Sequence, residues 1–431
     1  MPDRSFTSLS EIERLQRKNW ESQAKYVQSS SPFYQKHFAQ TPLNGQLHQL
    51  PDLPLTDKEM LRQDQQCHTP FGSYLAASSD QIVRMHRTSG TTGTAMNLAL
   101  TEQDACLTAE IGARAQRAAG LGPEHRVVHC LNYQLWMGGY TDHASLEATG
   151  AMVVPYGVGG TTGLIQLIQE LGINAISCTP SYPAVLEQVI KDQFPGLSPK
   201  DLGLRLGLFG GEAALDDPGF RRRLESTWGF KARNSNYGVT DVLCNFAGQT
   251  PESNDLHFMA LDVLYPELID PLTGSSKPWL EGESGELVLT HLCKQAQPLV
   301  RFRTNDIITL TGLGVAGCGR SAPRFRVIGR SDDMMVVRGI NVFPTMVAET
   351  INQFEQLSTE YRIVLDNKPP YDFLPIEVEL QAGFDDSKDL RLAIENQIKK
   401  NIGASSQVKL LAPNSLPRTE GKTKRVIRMC H

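Results

Sequence analysis

The sequence predicts an α/β fold: a large N-terminal domain with parallel-rich sheets and helices plus a β-rich subdomain, followed by a small α+β C-terminal domain. Three observations carry that expectation. From residue 100, short apolar runs alternate with helix-length segments, which is the pattern of a parallel sheet with crossover helices. From about residue 255 the rhythm changes to short strands between Gly/Pro/Ser-rich turns. The last hundred residues return to alternating strands and helix. A chain of 431 residues allows two or three domains and can bury a large core without disulfides or structural metals.

Taken in order, the first 70 residues read as helical and loop-rich. Ser10-Glu11-Ile12-Glu13 and Thr56-Asp57-Lys58-Glu59 have capping-box spacing, each opening a helix. Trp20, Tyr26, Phe33, Tyr34 and Phe38 read as core packing. Buried strands are expected at Arg126–Leu131, Ala151–Tyr156, Ile173–Cys178 and Leu204–Phe209. Helices are expected at Glu102–Ala119, Gly138–Ala148, Thr162–Leu171, Tyr182–Lys191 and Asp217–Trp228. In such sheets ligands bind where loops leave the carboxyl ends of the strands. The β-rich part is expected to include strands at Leu261–Leu264, Gly285–Leu289 and Asp306–Leu310. The C-terminal domain is expected to carry strands near Tyr361–Leu365 and Ile376–Leu380 and a helix at Lys388–Asn401.

Composition narrows the function classes. The 42 Lys+Arg against 47 Asp+Glu leave a net charge of -5, which disfavours nucleic-acid binding by phosphate neutralisation. No apolar run approaches the ~20 residues that span a bilayer, so no membrane partner is expected. The segment from Met1 to Lys18 lacks a signal-peptide core. Eight scattered cysteines without a CxxC pair read as reduced thiols. A soluble cytoplasmic enzyme is the expectation.

Five segments carry chemistry. Arg87-Thr88-Ser89-Gly90-Thr91-Thr92-Gly93-Thr94 packs hydroxyls and glycines into a loop whose N–H groups can ring phosphate oxygens. Asn236-Tyr237-Gly238-Val239-Thr240-Asp241 places a ring, a tight turn, a hydroxyl and a carboxylate within a few residues. The others are Arg301-Phe302-Arg303-Thr304-Asn305-Asp306, Gly329–Pro344 (GRSDDMMVVRGINVFP) and Leu416–Val426 (LPRTEGKTKRV). In this order and spacing they resemble the core motifs of the adenylate-forming superfamily of acyl-CoA synthetases, adenylation domains and luciferases. The closer resemblance is to the phenylacetate–CoA ligase family, from about Ser30 to the C-terminus.

That resemblance implies a large N-terminal domain over residues 1–331, which binds ATP and acid. It also implies a small mobile C-terminal domain over 332–431 that swivels about a hinge and carries a catalytic lysine. The implied reaction has two halves: a carboxylate attacks the α-phosphate of ATP, and the thiol of coenzyme A then displaces AMP from the acyl-adenylate. The implied cofactors are ATP, Mg²⁺ and coenzyme A, and the implied acid is aromatic or arylacetic. Thr88, Ser89, Gly90, Thr91, Thr92 and Gly93 would cover the β- and γ-phosphates. Thr94 stands where many relatives have Lys, which removes one phosphate cation. Tyr237, with Gly238, would stack on adenine, bordered by Gly210, Gly211 and Glu212. Thr240 would hydrogen-bond the α-phosphate, and Asp241 stands where the family usually has the Glu that meets Mg²⁺. Asp306 would accept from the ribose hydroxyls, and Asn305 replaces a usual Gly, since Asn tolerates a left-handed backbone. Arg330 would contact ribose or phosphates, with Arg425 as a further cation. Asp332 fits the hinge. Lys422 would bridge the α-phosphate and the attacking carboxylate in one domain arrangement.

The resemblance also implies that the acid lies after the strand Arg126–Leu131, walled by Tyr133, Trp136, Gly138, Gly210 and Tyr237, with His129, Asn132 and Gln134 as candidate hydrogen-bonding groups. Some relatives hold zinc beside a Cys-x-Cys-Gly-Arg segment. Ala316-Gly317-Cys318-Gly319-Arg320 keeps one of those cysteines, with His257 and Cys244 as candidate partners, and a zinc site is expected to be absent. A carrier-protein thiol or an amine as acyl acceptor, a homodimer, and a non-catalytic binding protein on the same scaffold stay open as alternatives.

Overall fold

The computed structural model describes residues 3–88, 95–367, 371–417 and 425–429. The chain divides into two compact units, Met1–Gly211 with Thr227–Arg326, and Glu212–Ser226 with Val327–His431. The division therefore falls between Arg326 and Val327, ahead of the expected 331/332, and the smaller unit also takes in Glu212–Ser226.

In the first unit, α1 (Leu9–Ser30) is capped by Ser8, whose hydroxyl accepts from the Glu11 N–H. The expected Ser10 cap is corrected, because Ser8-Leu9-Ser10-Glu11 offers the same Ser-x-x-Glu spacing earlier in the chain. Helix α2 (Pro32–His37) follows directly. Helix α3 (Lys58–Cys67) is capped by Asp57, which accepts from the Met60 N–H, and not by Thr56. Thr56 is extended: its backbone exchanges hydrogen bonds with Arg301 and Arg303, and its hydroxyl donates to the Val300 carbonyl. Trp20, Tyr34 and Phe38 are buried as expected, with Tyr34 stacked on Phe38. A hairpin that the sequence reading did not foresee, β1 (Ile82–Arg87) and β2 (Asn97–Thr101), brackets the Ser/Thr/Gly-rich loop.

Helix α4 (Glu102–Ala118) opens on a capping box between Thr101 and Asp104. The expected alternation follows as β3 (Arg126–His129), α5 (Met137–Glu147), β4 (Met152–Pro155), α6 (Thr161–Glu170), β5 (Ala175–Cys178), α7 (Tyr182–Gln193) and β6 (Leu206–Gly210). After α8 (Pro218–Trp228), most of which belongs to the second unit, comes β7 (Lys231–Val239). Strands β7, β6, β5, β3 and β4 pair in parallel in that order.

The β-rich part comprises β8 (Leu243–Thr250), β9 (Ser253–Phe258), β10 (Leu264–Ile269), β11 (Ser276–Lys277), β12 (Ser284–His291), β13 (Phe302–Gly312) and β14 (Arg324–Arg330). It is continuous with the parallel strands in one twelve-stranded sheet, ordered β11-β10-β12-β13-β14-β9-β8-β7-β6-β5-β3-β4. Strand β7 is the junction, parallel to β6 and antiparallel to β8. The strand expected at Leu261–Leu264 is instead a turn leading into β10. Asp262 is held there by the buried Arg114 guanidinium at 2.8 and 3.1 Å, and Val263 N–H closes on Ala260.

The second unit adds β15 (Met335–Val337), β16 (Ile340–Val342), α9 (Pro344–Ile351), β17 (Leu357–Leu365), β18 (Leu374–Leu380), α10 (Lys388–Ile402), β19 (Ser406–Leu411) and β20 (Val426–Arg428). Its four-stranded sheet runs β19-β18-β17-β20 around a core that includes Val347, Ile363, Ile376, Ile394 and Ile398. Among the described residues no helix is long and apolar enough to cross a membrane.

Candidate active site

The site is built at the end of β7, where two glycines admit close backbone approach. Phe209 pairs with Asn234 and Gly210 with Asn236, so Ser235 bulges and re-aims the residues after it. A Cβ on Gly210 would meet the Asn236 carbonyl at 2.5 Å, and one on Gly238 would meet the Cys244 carbonyl at 1.9 Å. The chain then turns: Val242 N–H donates to the Val239 carbonyl at 2.8 Å, leaving Thr240 and Asp241 at the corner.

Tyr237 lies edge-on to Phe246 and Phe325, each at 5.3 Å. Its hydroxyl donates to Asp306 Oδ2 at 2.8 Å, so the residues expected at adenine and at ribose are joined to each other. Asp306 sits on β13, mostly buried, directly after Asn305 at φ 62°, the left-handed backbone foreseen for that position. Glu286 fixes this corner by accepting from Asn305 N–H and from the Arg303 guanidinium.

Asp241 reveals a residue that sequence reasoning missed. Lys58 Nζ donates to Asp241 Oδ2 at 2.7 Å, while Asp241 Oδ1 is buried without a hydrogen-bond partner. Lys58 is the first residue of α3, where the helix dipole disfavours a cation. That misfit was the available signal, since a lysine placed there does not serve its helix. Thr88 is buried at the base of the hydroxyl-rich loop, where its hydroxyl accepts from Met96 N–H and its own N–H donates to the Met96 carbonyl, both at 2.9 Å. Ser89, Gly90, Thr91, Thr92, Gly93 and Thr94 lie outside the described residues.

The expected acyl region is the turn from β3 into α5. Tyr133 hydrogen-bonds His143 Nδ1 at 2.9 Å, and burial raises its hydroxyl above the usual tyrosine range. Trp136 precedes α5, and a Cβ on Gly138 would sit 3.3 Å from its ring. His129 is corrected as a substrate contact. Its ring is buried with Nδ1 bonded to Ser177 Oγ at 3.1 Å, and Nε2 faces the carbonyls of Gly138 and Gly139 at 3.2 and 3.0 Å. Carbonyls only accept, so Nε2 carries the proton. Burial lowers the His129 pKa to about 4, which keeps the ring neutral as a brace for α5. Asn132 likewise caps the Gln134 N–H. The polar group that does stand here is Asp142, buried within α5 and hydrogen-bonded by Asn236 Nδ2. Burial raises its carboxyl to about 7.

Cys318 Sγ lies 3.9 Å from His257 Nε2. Cys244 is corrected as their partner, since it packs against Leu98, Leu100 and Met137 and hydrogen-bonds Asp142. Among the described residues no group of three or more His, Cys, Asp or Glu is placed to hold a metal.

Gly211, at φ 82°, ends the first unit and Glu212 begins the second. Within the second unit the Arg330 guanidinium pairs with both carboxylate oxygens of Asp332, each at 2.9 Å. Arg425 is corrected as a free cation for ATP. It donates to Glu360 at 2.7 Å and to the Tyr361 carbonyl at 3.0 Å, and lies over the Tyr361 ring. Lys422 lies outside the described residues.

The chain matches the AMP-binding enzyme family over residues 21–292 and the AMP-binding enzyme C-terminal domain over residues 339–429. It is 36% identical over 420 residues to the phenylacetate-coenzyme A ligase of Pseudomonas putida, covering 95% of this chain and 92% of that protein. The chain belongs to the phenylacetate-coenzyme A ligase family. Family members from Thermus thermophilus and Escherichia coli are 32% and 33% identical, over 99% and 97% of this chain and 98% and 95% of their own lengths. A 2-hydroxyisobutyryl-CoA ligase in its postadenylation state superposes with a TM-score of 0.88 at 27% identity, covering 99% of this chain and 91% of that one. Tyr237, Thr240 and Asp241 fall within the first family match and Lys422 within the second, whereas Asp306, Arg330 and Asp332 fall between them.

Proposed function

We propose that this chain is an AMP-forming acid–CoA ligase that activates an aromatic or arylacetic carboxylic acid as its acyl-adenylate and passes the acyl group to coenzyme A. Membership of the phenylacetate-coenzyme A ligase family over nearly the whole chain supports the reaction. The joined Tyr237–Asp306 pair is the observation that supports the nucleotide site, since it sets a ring and a carboxylate acceptor at one strand end.

The first half-reaction brings two anions together, so fixed cations and dipoles must offset their repulsion. Tyr237 would stack on adenine and Asp306 would accept from the ribose, with Gly210, Gly211 and Glu212 at the pocket border. Thr240, at the corner of the turn, would donate to the α-phosphate. Asp241 fits a cation, because its buried Oδ1 has no partner. Mg²⁺ would be held there by one carboxylate and the nucleotide's own phosphates, its usual mode in such sites. Lys58 brings an ammonium to this corner and supports a substitute for the cation lost at Thr94. Arg330 would stand just ahead of the hinge at Asp332, and Lys422 would come from the small domain beyond it. The acid would lie against Tyr133, Trp136 and Gly138. A carrier-protein thiol as acceptor and a homodimer remain alternatives to the simplest reading.

The test is ATP–pyrophosphate exchange over a panel of carboxylic acids, followed by thioester formation with coenzyme A. Lys422→Ala is expected to lower exchange by orders of magnitude while sparing thioester formation from preformed acyl-adenylate. Exchange that survives this substitution intact would remove Lys422 from its role.

A further inference from the structure

We propose that Asp142 determines substrate specificity by hydrogen-bonding a hydroxyl group on the carboxylic acid. The inference rests on the acyl region argued above. Asp142 is fully buried in α5, and its Oδ2 accepts from Asn236 Nδ2. The Cys244 side chain also hydrogen-bonds the carboxyl. Its other oxygen, Oδ1, is buried with no hydrogen-bond partner. Three other buried carboxylates in this unit are paired with cations: Asp262 meets Arg114, Glu267 meets Arg301 and Glu286 meets Arg303. Asp142 has neutral neighbours, and burial alone raises its pKa. The Asn236 and Cys244 contacts leave Oδ1 unpaired and no ion pair offsets the burial, so these contacts alone do not account for a carboxyl here.

Its position does account for it. Gly138 lies against both the Trp136 ring and Asp142: a Cβ there would come within 3.3 Å of the ring and 3.5 Å of Asp142 Oδ2. Gly210 lies against Asn236, the residue that holds Asp142. Two residues expected around the acid, Gly138 and Gly210, thus border the Asp142–Asn236 pair. A hydroxyl both donates and accepts, so it pairs with this carboxyl in either protonation state. An unsubstituted ring or alkyl group would leave Oδ1 unpaired. A site built around a polar partner discriminates strongly against the analogue that lacks it.

The experiment measures ATP–pyrophosphate exchange with matched pairs of acids, hydroxylated and unsubstituted, for the wild type, Asp142→Ala and Asp142→Asn, with thermal melts of each. The wild type is expected to favour the hydroxylated member by about tenfold or more in kcat/KM. Asp142→Ala is expected to erase that preference, with kcat/KM falling much further for the hydroxylated acid than for the unsubstituted one. Asp142→Asn, whose carboxamide still donates and accepts, should retain part of it. A wild type that favours the unsubstituted acids would overturn the proposal whatever the variants do, as would an unchanged ranking in a folded Asp142→Ala protein. No exchange with any acid by the wild type would overturn the ligase reading itself and the inference with it.

Discussion

Single residues in this site carry paired duties. Tyr237 offers a ring to the proposed adenine site and a hydroxyl to Asp306, so removing the hydroxyl separates the two. Tyr237→Phe keeps the ring and removes this hydrogen bond to Asp306. Hydrogen bonds to charged groups are worth about 1.5–3 kcal/mol, so the KM for ATP is expected to rise roughly tenfold or more while the KM for the acid stays put. Equal changes in both constants would place the hydroxyl outside the nucleotide site. Residue identity was legible where a motif or a backbone constraint announced it. Asn305 stands at a left-handed position, as its amide-bearing side chain suggested. Asp142 was not legible, because its meaning lies in a partner far along the chain, Asn236, and Lys58 announced only a poor fit to its helix start, not its partner Asp241. No local pattern encodes such a contact.

Among elements, the parallel strands and their helices were legible from apolar runs alone. Strand β10 was misplaced because the run at 261–264 is interrupted by Asp262, whose partner Arg114 lies far along the chain on α4. The helix caps slipped because Ser-x-x-Glu occurs in overlapping frames near Ser8, and because Thr56 is claimed by the strand at Arg301–Arg303. The hairpin between β7 and β8 yields a sharp prediction. Gly238→Ala would place a methyl 1.9 Å from the Cys244 carbonyl, a backbone atom that cannot swing aside. The expected cost is about 1–3 kcal/mol or more, read as a lowered Tm, together with loss of pyrophosphate exchange. Gly211→Ala meets no atom within 4 Å and strains only its φ of 82°, for about 1–2 kcal/mol. A Gly238→Ala protein as stable as wild type would mean that the hairpin is looser than its geometry indicates.

At the scale of the molecule, the chain forms two compact units, whereas the five ordered motifs led to an expected split at 331/332. The inclusion of Glu212–Ser226 in the smaller unit was not legible, since it follows from packing and not from chain order. The proposed hinge is testable. Asp332 pairs with Arg330, whose guanidinium is proposed to serve the nucleotide. Asp332→Pro fixes φ near -65° and removes the N–H. If the domain swivels there, one half-reaction is expected to survive and the other to fall by orders of magnitude, as measured by exchange and by thioester formation from preformed acyl-adenylate. An equal decline in both would argue against the hinge.

Asn236 and Tyr237 are consecutive residues of β7, and consecutive strand residues face opposite sides of a sheet. One holds Asp142 and the other holds Asp306. In the proposed reading, acid and nucleotide are therefore sensed through neighbouring residues of a single strand that is itself pinned between β6 and β8. If one ligand shifts β7, the contact of the other would move with it. Thermodynamic linkage then requires each to change the affinity of the other by the same factor, so that filling either site tunes its neighbour without a separate regulatory element.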